Sequence, residues 1–230
     1  MNPNLDILIR AVDQLGDLAD DMVFVGGCAT GLLITDLAAP SIRITKDVDA
    51  IVHVVSHADY YQLSDKLRAQ GFTEDTHVDA PICRWKTVEG IVLDVMPVNP
   101  NILGFGNDWY KPATEHALEF LLPSGRSIRL VSAPYFLITK LEAFGGRGNN
   151  DYLMSHDIED IVAVFDGRIE LVNDVKVSGM ALIQELSKRF TLLLKDERFV
   201  EAVSGHMPAD NISQQRVSLV LEAMGKIAKL

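Results

Sequence analysis

The chain has 230 residues, 48% of them apolar and 23% charged, which excludes a disordered or collagenous polymer and leaves room for one large domain or two small ones. With 21 basic side chains against 32 acidic ones the net charge is −11, a sign that works against a general nucleic-acid coat. Two cysteines, Cys28 and Cys83, are too few for a disulfide framework. No charged start leads into an apolar stretch and no apolar run approaches the ~20 residues of a membrane span, so a soluble, cytoplasmic protein with no membrane partner is expected.

Leu5, Leu8, Ile9, Val12, Leu15 and Leu18 recur at steps of three and four and predict an amphipathic helix over residues 4–19. Met22 to Val25 reads as a short buried strand, ended by Gly26 and Gly27, and residues 29–37 read as helix before Pro40. Asp47 to Val55 is β-branched and apolar after its first residues and predicts a second strand. Residues 57–70 follow as a surface helix with Ser56 as its N-cap. Ile82 to Val88 and Ile91 to Val98 predict a hairpin joined by Glu89 and Gly90. Residues 104–123 show a mixed pattern, and 124–130 fit either a strand or a loop. Ser132 and Ser155 mark the starts of helices over 133–144 and 156–165, and 178–204 and 213–229 are helical by period. No internal repeat appears. The expected fold class is therefore α/β, a small mixed-sheet core over residues 1–130 followed by an all-helical region over 131–230.

Three segments concentrate the chemistry: Val23-Phe24-Val25-Gly26-Gly27, Thr45-Lys46-Asp47-Val48-Asp49, and Ile91-Val92-Leu93-Asp94-Val95. Along a strand, residues i and i+2 face the same side roughly 6.6 Å apart, so Asp47 and Asp49 present two carboxylates together. Their mutual repulsion at an effective dielectric near 20 is about 2–3 kcal/mol, and a cation is expected to offset it. Asp94 interrupts an apolar strand, on the face opposite Leu93 and Val95. If its strand neighbours that of Asp47, the three carboxylates converge, an oxygen set that suits Mg²⁺ or Mn²⁺ together with substrate phosphates. Gly26 and Gly27, between a strand and a helix, let the backbone approach a triphosphate at a positive helix end. The combination predicts phosphoryl-group chemistry.

With the residues in that order and spacing, the chain resembles the polymerase-β-like nucleotidyltransferase superfamily, whose pattern is a Gly-Gly or Gly-Ser turn, an Asp-x-Asp strand and a third Asp on a later strand. The likeness runs over roughly residues 20–165 and is nearest to AbiE-type toxins of toxin–antitoxin systems and to antibiotic nucleotidyltransferases. The resemblance implies a nucleotidyltransferase core, with Asp47, Asp49 and Asp94 catalytic and metal-binding and Gly26 and Gly27 bracketing the nucleotide. It also implies a nucleoside triphosphate (NTP) as substrate, which Lys140 and Asp157 help to hold. It implies an acceptor, whether tRNA, a small molecule or a protein hydroxyl, and, for a toxin, a cognate antitoxin. Cys28 stands where a serine often follows the turn.

Other readings compete with these. Phe136, Leu137, Leu141 and Phe144 surround Lys140 with an apolar stripe, so its ammonium wants an anion, either a nucleotide phosphate or an aspartate from 157–160. Cys28 suits a small core residue better than a thiol nucleophile. Arg43 and Lys46 flank the aspartates, within reach of phosphates or simply on the surface. The six histidines form no metal spacing, and Gly145 to Gly148 follow a helix rather than a strand, which does not suit a P-loop. The alternatives to a toxin are an antibiotic-modifying nucleotidyltransferase and a non-catalytic nucleotide-binding module. A glycosyltransferase also uses Asp-x-Asp, but needs neither the glycine turn nor Asp94.

Overall fold

Met22–Val25, apolar at every position, forms β1 and is buried along its whole length. Continuous apolar runs belong to strands covered on both faces, which places β1 inside a sheet rather than at its edge. In this computed structural model, which describes residues 2–230, β1 is joined by β2 (Val48–Val52), β3 (Thr73–Glu74), β4 (Arg84–Lys86), β5 (Val92–Pro97), β6 (Leu118–Leu121) and β7 (Ser127–Leu130). The seven strands lie in the order β3-β4-β5-β2-β1-β7-β6. The sheet is mixed: β2 is antiparallel to β1 and parallel to β5, β1 is parallel to β7, and β4/β5 and β6/β7 are antiparallel pairs.

Two units divide the chain. The first takes the residues up to Gly31 and Arg43–Ser132, and the second takes Leu32–Ile42 and Ala133–Leu230. In the first, α1 (Leu5–Leu15) lays Leu8, Val12 and Leu15 into the interior, and α3 (His57–Ala69) starts on the Ser56 hydroxyl, which accepts from the Asp59 N–H. Phe24, Ile51, Phe72, Trp85 and Leu93 are among its large fully buried side chains. The second unit is helical: α5 (Ala133–Arg147), α6 (His156–Gly167), α7 (Leu171–Lys176), α8 (Met180–Leu193), α9 (Glu197–Gly205) and α10 (Asn211–Ile227). Residues 32–42 belong to it through their backbone, since the Thr35 and Asp36 N–H groups both donate to the Gly167 carbonyl at 2.9 Å. The fold class is α/β, a mixed sheet with a helical region after it. Among the described residues, no helix is long and apolar enough to cross a membrane.

Several elements differ from expectation for local reasons. The helix expected over 4–19 ends at Leu15, because Gly16 adopts φ +56° and the chain continues as a 3₁₀ turn over Gly16–Asp21. The next helix, α2 (Gly26–Leu33), begins at the glycines themselves and stops before the expected 37. The continuous helix expected over 178–204 is two helices, since the Asp196 carboxylate accepts from the Arg198 N–H and caps α9. The mixed stretch 104–123 holds α4 (Tyr110–Glu115) and β6, and α7 was not anticipated at all. The two-residue hairpin turn at Glu89-Gly90 is a three-residue loop, 88–90, closed by the Thr87 N–H donating to Ile91 O at 3.0 Å, with Gly90 at φ +83°. That one-residue change resets every partner across the hairpin and has a large consequence for the site.

Candidate active site

β2 and β5 run parallel in a register that pairs Val48 with Leu93, Asp49 with Asp94 and Ala50 with Val95. Side chains paired in register leave the sheet on the same face, so Asp49 and Asp94 stand side by side there while Leu93 and Val95 go to the other, buried side. On the far flank of β2, Val25 pairs with Asp49, which delivers Gly26 to the Asp49 carboxylate. A Cβ at Gly26 would lie 1.9 Å from Asp49 Oδ2 and 2.8 Å from its Cβ, and the backbone there has φ +68°. Only glycine fits both demands. Asp47 lies one residue before β2 and is half-buried.

The cation shared by two of the three carboxylates is Arg84. The three-residue hairpin loop sets Arg84 of β4 directly opposite Asp94. Its Nε donates to Asp94 Oδ1 at 2.8 Å and its Nη2 to Asp94 Oδ2 at 2.7 Å, a two-pronged pair, and Nη2 also donates to Asp47 Oδ2 at 2.8 Å. The hydrogen bonds to Asp94, with the nearby charge of Asp94 and Asp47, raise the Arg84 pKa further above its already high ordinary value. Next to it, burial first, then the charges of Asp94 and Asp49, push the Cys83 thiol up to about 12, so it is inert as a nucleophile.

Asn4 fixes the approach to the aspartates. It is fully buried immediately before α1, where an asparagine would ordinarily cap the helix, yet its side chain makes no capping bond. Instead its Oδ1 accepts from the Thr45 N–H at 2.9 Å, and its Nδ2 donates to Arg43 O at 3.0 Å and to Gly27 O at 3.3 Å. The glycine turn and the 43–47 segment are thereby tied together, and the Thr45 hydroxyl donates to Asp47 Oδ1 at 2.7 Å. The Arg43 guanidinium covers Gly27, where an added Cβ would come within 2.6 Å of Nη2. Cys28 is fully buried with its thiol directed at the Val25 carbonyl, 3.1 Å away.

The donor chemistry suits a hard divalent cation, because such an ion needs only one or two carboxylates when substrate phosphates complete its shell. Asp47 and Asp49 qualify by type, and Asp49 lies against Gly26. Among the described residues no three His, Cys, Asp or Glu side chains form a group able to hold a metal, and Arg84 holds both oxygens of Asp94.

Lys140 and Asp157 belong to the second unit. The Lys140 Nζ donates to Asp160 Oδ2 at 2.7 Å and to Asp157 Oδ1 at 3.1 Å, and all three side chains are at least nine-tenths buried. Arg147 adds two bonds to Asp157, from Nε at 3.1 Å and Nη2 at 2.9 Å. Burial works to raise the Asp157 carboxyl, but Lys140 and Arg147 outweigh it and leave it below its ordinary value.

Sequence reasoning missed Arg84 and Asn4. Arg84 was discoverable from the hairpin, had the turn been counted as three residues. For Asn4 no sequence signal exists, since its partners are 23 to 41 residues away.

No protein-family model matches the chain, and no curated protein does. Among solved structures, the lincomycin-bound lincosamide antibiotic adenylyltransferase LnuA is similar, with a TM-score of 0.42 and 20% sequence identity, over 71% of this chain and 98% of that one.

Proposed function

We propose that the chain is a metal-dependent nucleotidyltransferase that moves a nucleoside monophosphate from an NTP to an acceptor nucleophile. The reading is carried by one observation: Val25, Asp49 and Asp94 stand in register on β1, β2 and β5, with Gly26 directly after β1 against the Asp49 carboxylate and Asp47 one residue before β2. The acceptor's oxygen attacks the α-phosphorus, a new P–O bond forms, the bond to the bridging oxygen breaks, and pyrophosphate leaves with its electron pair. Asp47 and Asp49 would hold Mg²⁺ or Mn²⁺, which supplies charge neutralisation at the triphosphate. Gly26, with no side chain, lets the backbone lie against the phosphates, and Asn4 keeps that turn and the aspartate segment in one geometry. Asp94, in register with Asp49, would take the acceptor proton.

The acceptor is a hydroxyl on tRNA, on a small antibiotic or on a protein. With tRNA the chain would be the toxin of a pair restrained by a cognate antitoxin. The deciding experiment is incubation with α-labelled NTPs, Mg²⁺ and these acceptors in turn. Label should pass to one acceptor class, and Asp49→Asn should cut the rate by about 10³-fold or more, the scale of losing a preorganised charge partner. Equal transfer by Asp49→Asn would end this reading. A second reading, nucleotide binding without turnover, draws on the guanidinium already seated on Asp94. NTP binding with no label on any acceptor would establish it.

A further inference from the structure

We infer that this site works with a single divalent ion, and that Arg84 takes the place of a second one by keeping Asp94 out of the metal shell. The inference rests on the nucleotidyltransferase reading above. Asp94 and Asp47 differ in how Arg84 holds them. Both oxygens of Asp94 are taken, at 2.8 and 2.7 Å, and its side chain is 9% exposed. Asp47 gives one oxygen to a shared Nη2, gives the other to the Thr45 hydroxyl, and its side chain is 30% exposed.

A metal recruited by Asp94 must break a two-pronged pair at a buried carboxylate and leave a permanent cation with only its single contact to Asp47, since guanidinium does not deprotonate. A metal recruited by Asp47 has only to take over one contact at a partly exposed oxygen, while Arg84 keeps Asp94. Asp47, Asp49 and the phosphates are then a sufficient shell for one ion. The arrangement is fixed by the backbone rather than by rotamer choice, because the hairpin register seats Arg84 opposite Asp94. Arg84 is thus a positioning residue: it orients Asp94 and supplies positive charge where a two-metal site would place its second ion.

The test counts ions. Full-length protein saturated with a non-hydrolysable NTP analogue is titrated with Mn²⁺, and the electron paramagnetic resonance signal of free Mn²⁺ gives the number bound. One ion per chain is expected in the wild type and in Asp94→Asn, and two in Arg84→Gln. Two ions in the wild type overturn the inference and leave the nucleotidyltransferase reading standing. So does a count that stays at one in Arg84→Gln, or one that falls to zero in Asp94→Asn. An ion bound as tightly in Asp49→Asn as in the wild type is carried by the analogue alone, and overturns both. Should Arg84→Gln fail to fold, the wild-type and Asp94→Asn counts still decide.

Discussion

Asp94 in the first unit and Asp160 in the second each accept a 2.7 Å bond from a cation, yet the two settings are built differently. Around Asp160 the charges balance, with Lys140 and Arg147 against Asp157 and Asp160, and three of the four side chains are buried. Around Asp94 one guanidinium serves both Asp94 and Asp47 while Asp49 stands in register beside them, and the Arg84 and Asp47 side chains are 25% and 30% exposed. A neutral, closed cluster holds helices together. A cluster whose guanidinium is shared between two carboxylates, one of them partly open to water, is suited to receiving a further cation from outside. The difference lies in the arrangement, since both clusters are built from aspartates and basic side chains.

The sharpest way to break this contrast is to remove the central cation of the closed cluster. Lys140→Met takes from the buried Asp157 and Asp160 the ammonium that both share, and removing one partner of a buried pair costs about 3–5 kcal/mol. Urea unfolding of the full chain should show a loss of that size, unaffected by millimolar Mn²⁺. A loss below about 1 kcal/mol would mean that the cluster is not what joins α5 to α6. The corresponding change in the open cluster, Arg84→Gln, should cost less, about 2 kcal/mol, because water reaches Asp47 and part of Arg84. Here Mn²⁺ should restore much of the stability by binding the folded state alone. If metal rescues neither variant, or both, the two clusters are not different in kind.

Much of this was legible in the sequence and part was not. Met22 to Val25, the Asp-x-Asp and Asp94 were each visible as local exceptions: an unbroken apolar run, a doubled acid and a carboxylate in an apolar strand. Their meeting depended on β5 lying beside β2, a pairing that joins residues 45 apart and leaves no mark on either segment. Arg84 was hidden by a single residue of turn length. A two-residue loop would have set Val95 opposite Arg84 and turned the guanidinium away from Asp94, and Val88 gives no sign in the sequence that it belongs to the turn. Lys140 was recognisable as a cation in an apolar stripe, but which anion it meets depends on how α6 packs against α5. Asn4 was illegible for the same reason: its usual local role is capping, and here tertiary partners replaced it.

The smallest effect should appear with acid, at the closed cluster. The Asp157 carboxyl lies below its ordinary value of 3.8 in the folded chain, because Lys140 and Arg147 prevail over burial. A carboxyl lowered on folding contributes stability that is complete above its unfolded pKa and is lost as pH falls through the folded one. Between pH 7 and about 5, then, Asp157 adds no pH dependence, and below that range folding should weaken with a slope approaching about 1.4 kcal/mol per pH unit for the one proton taken up on unfolding. Asp157→Asn removes the proton and should flatten the acid limb of the stability curve while lowering its plateau. Urea midpoints collected from pH 6 to pH 2.5 for both proteins measure the two together. Parallel acid limbs would show that Lys140 and Arg147 do not hold the Asp157 carboxylate in its charged form, and the contrast between the clusters would then rest on geometry without the electrostatics that should accompany it.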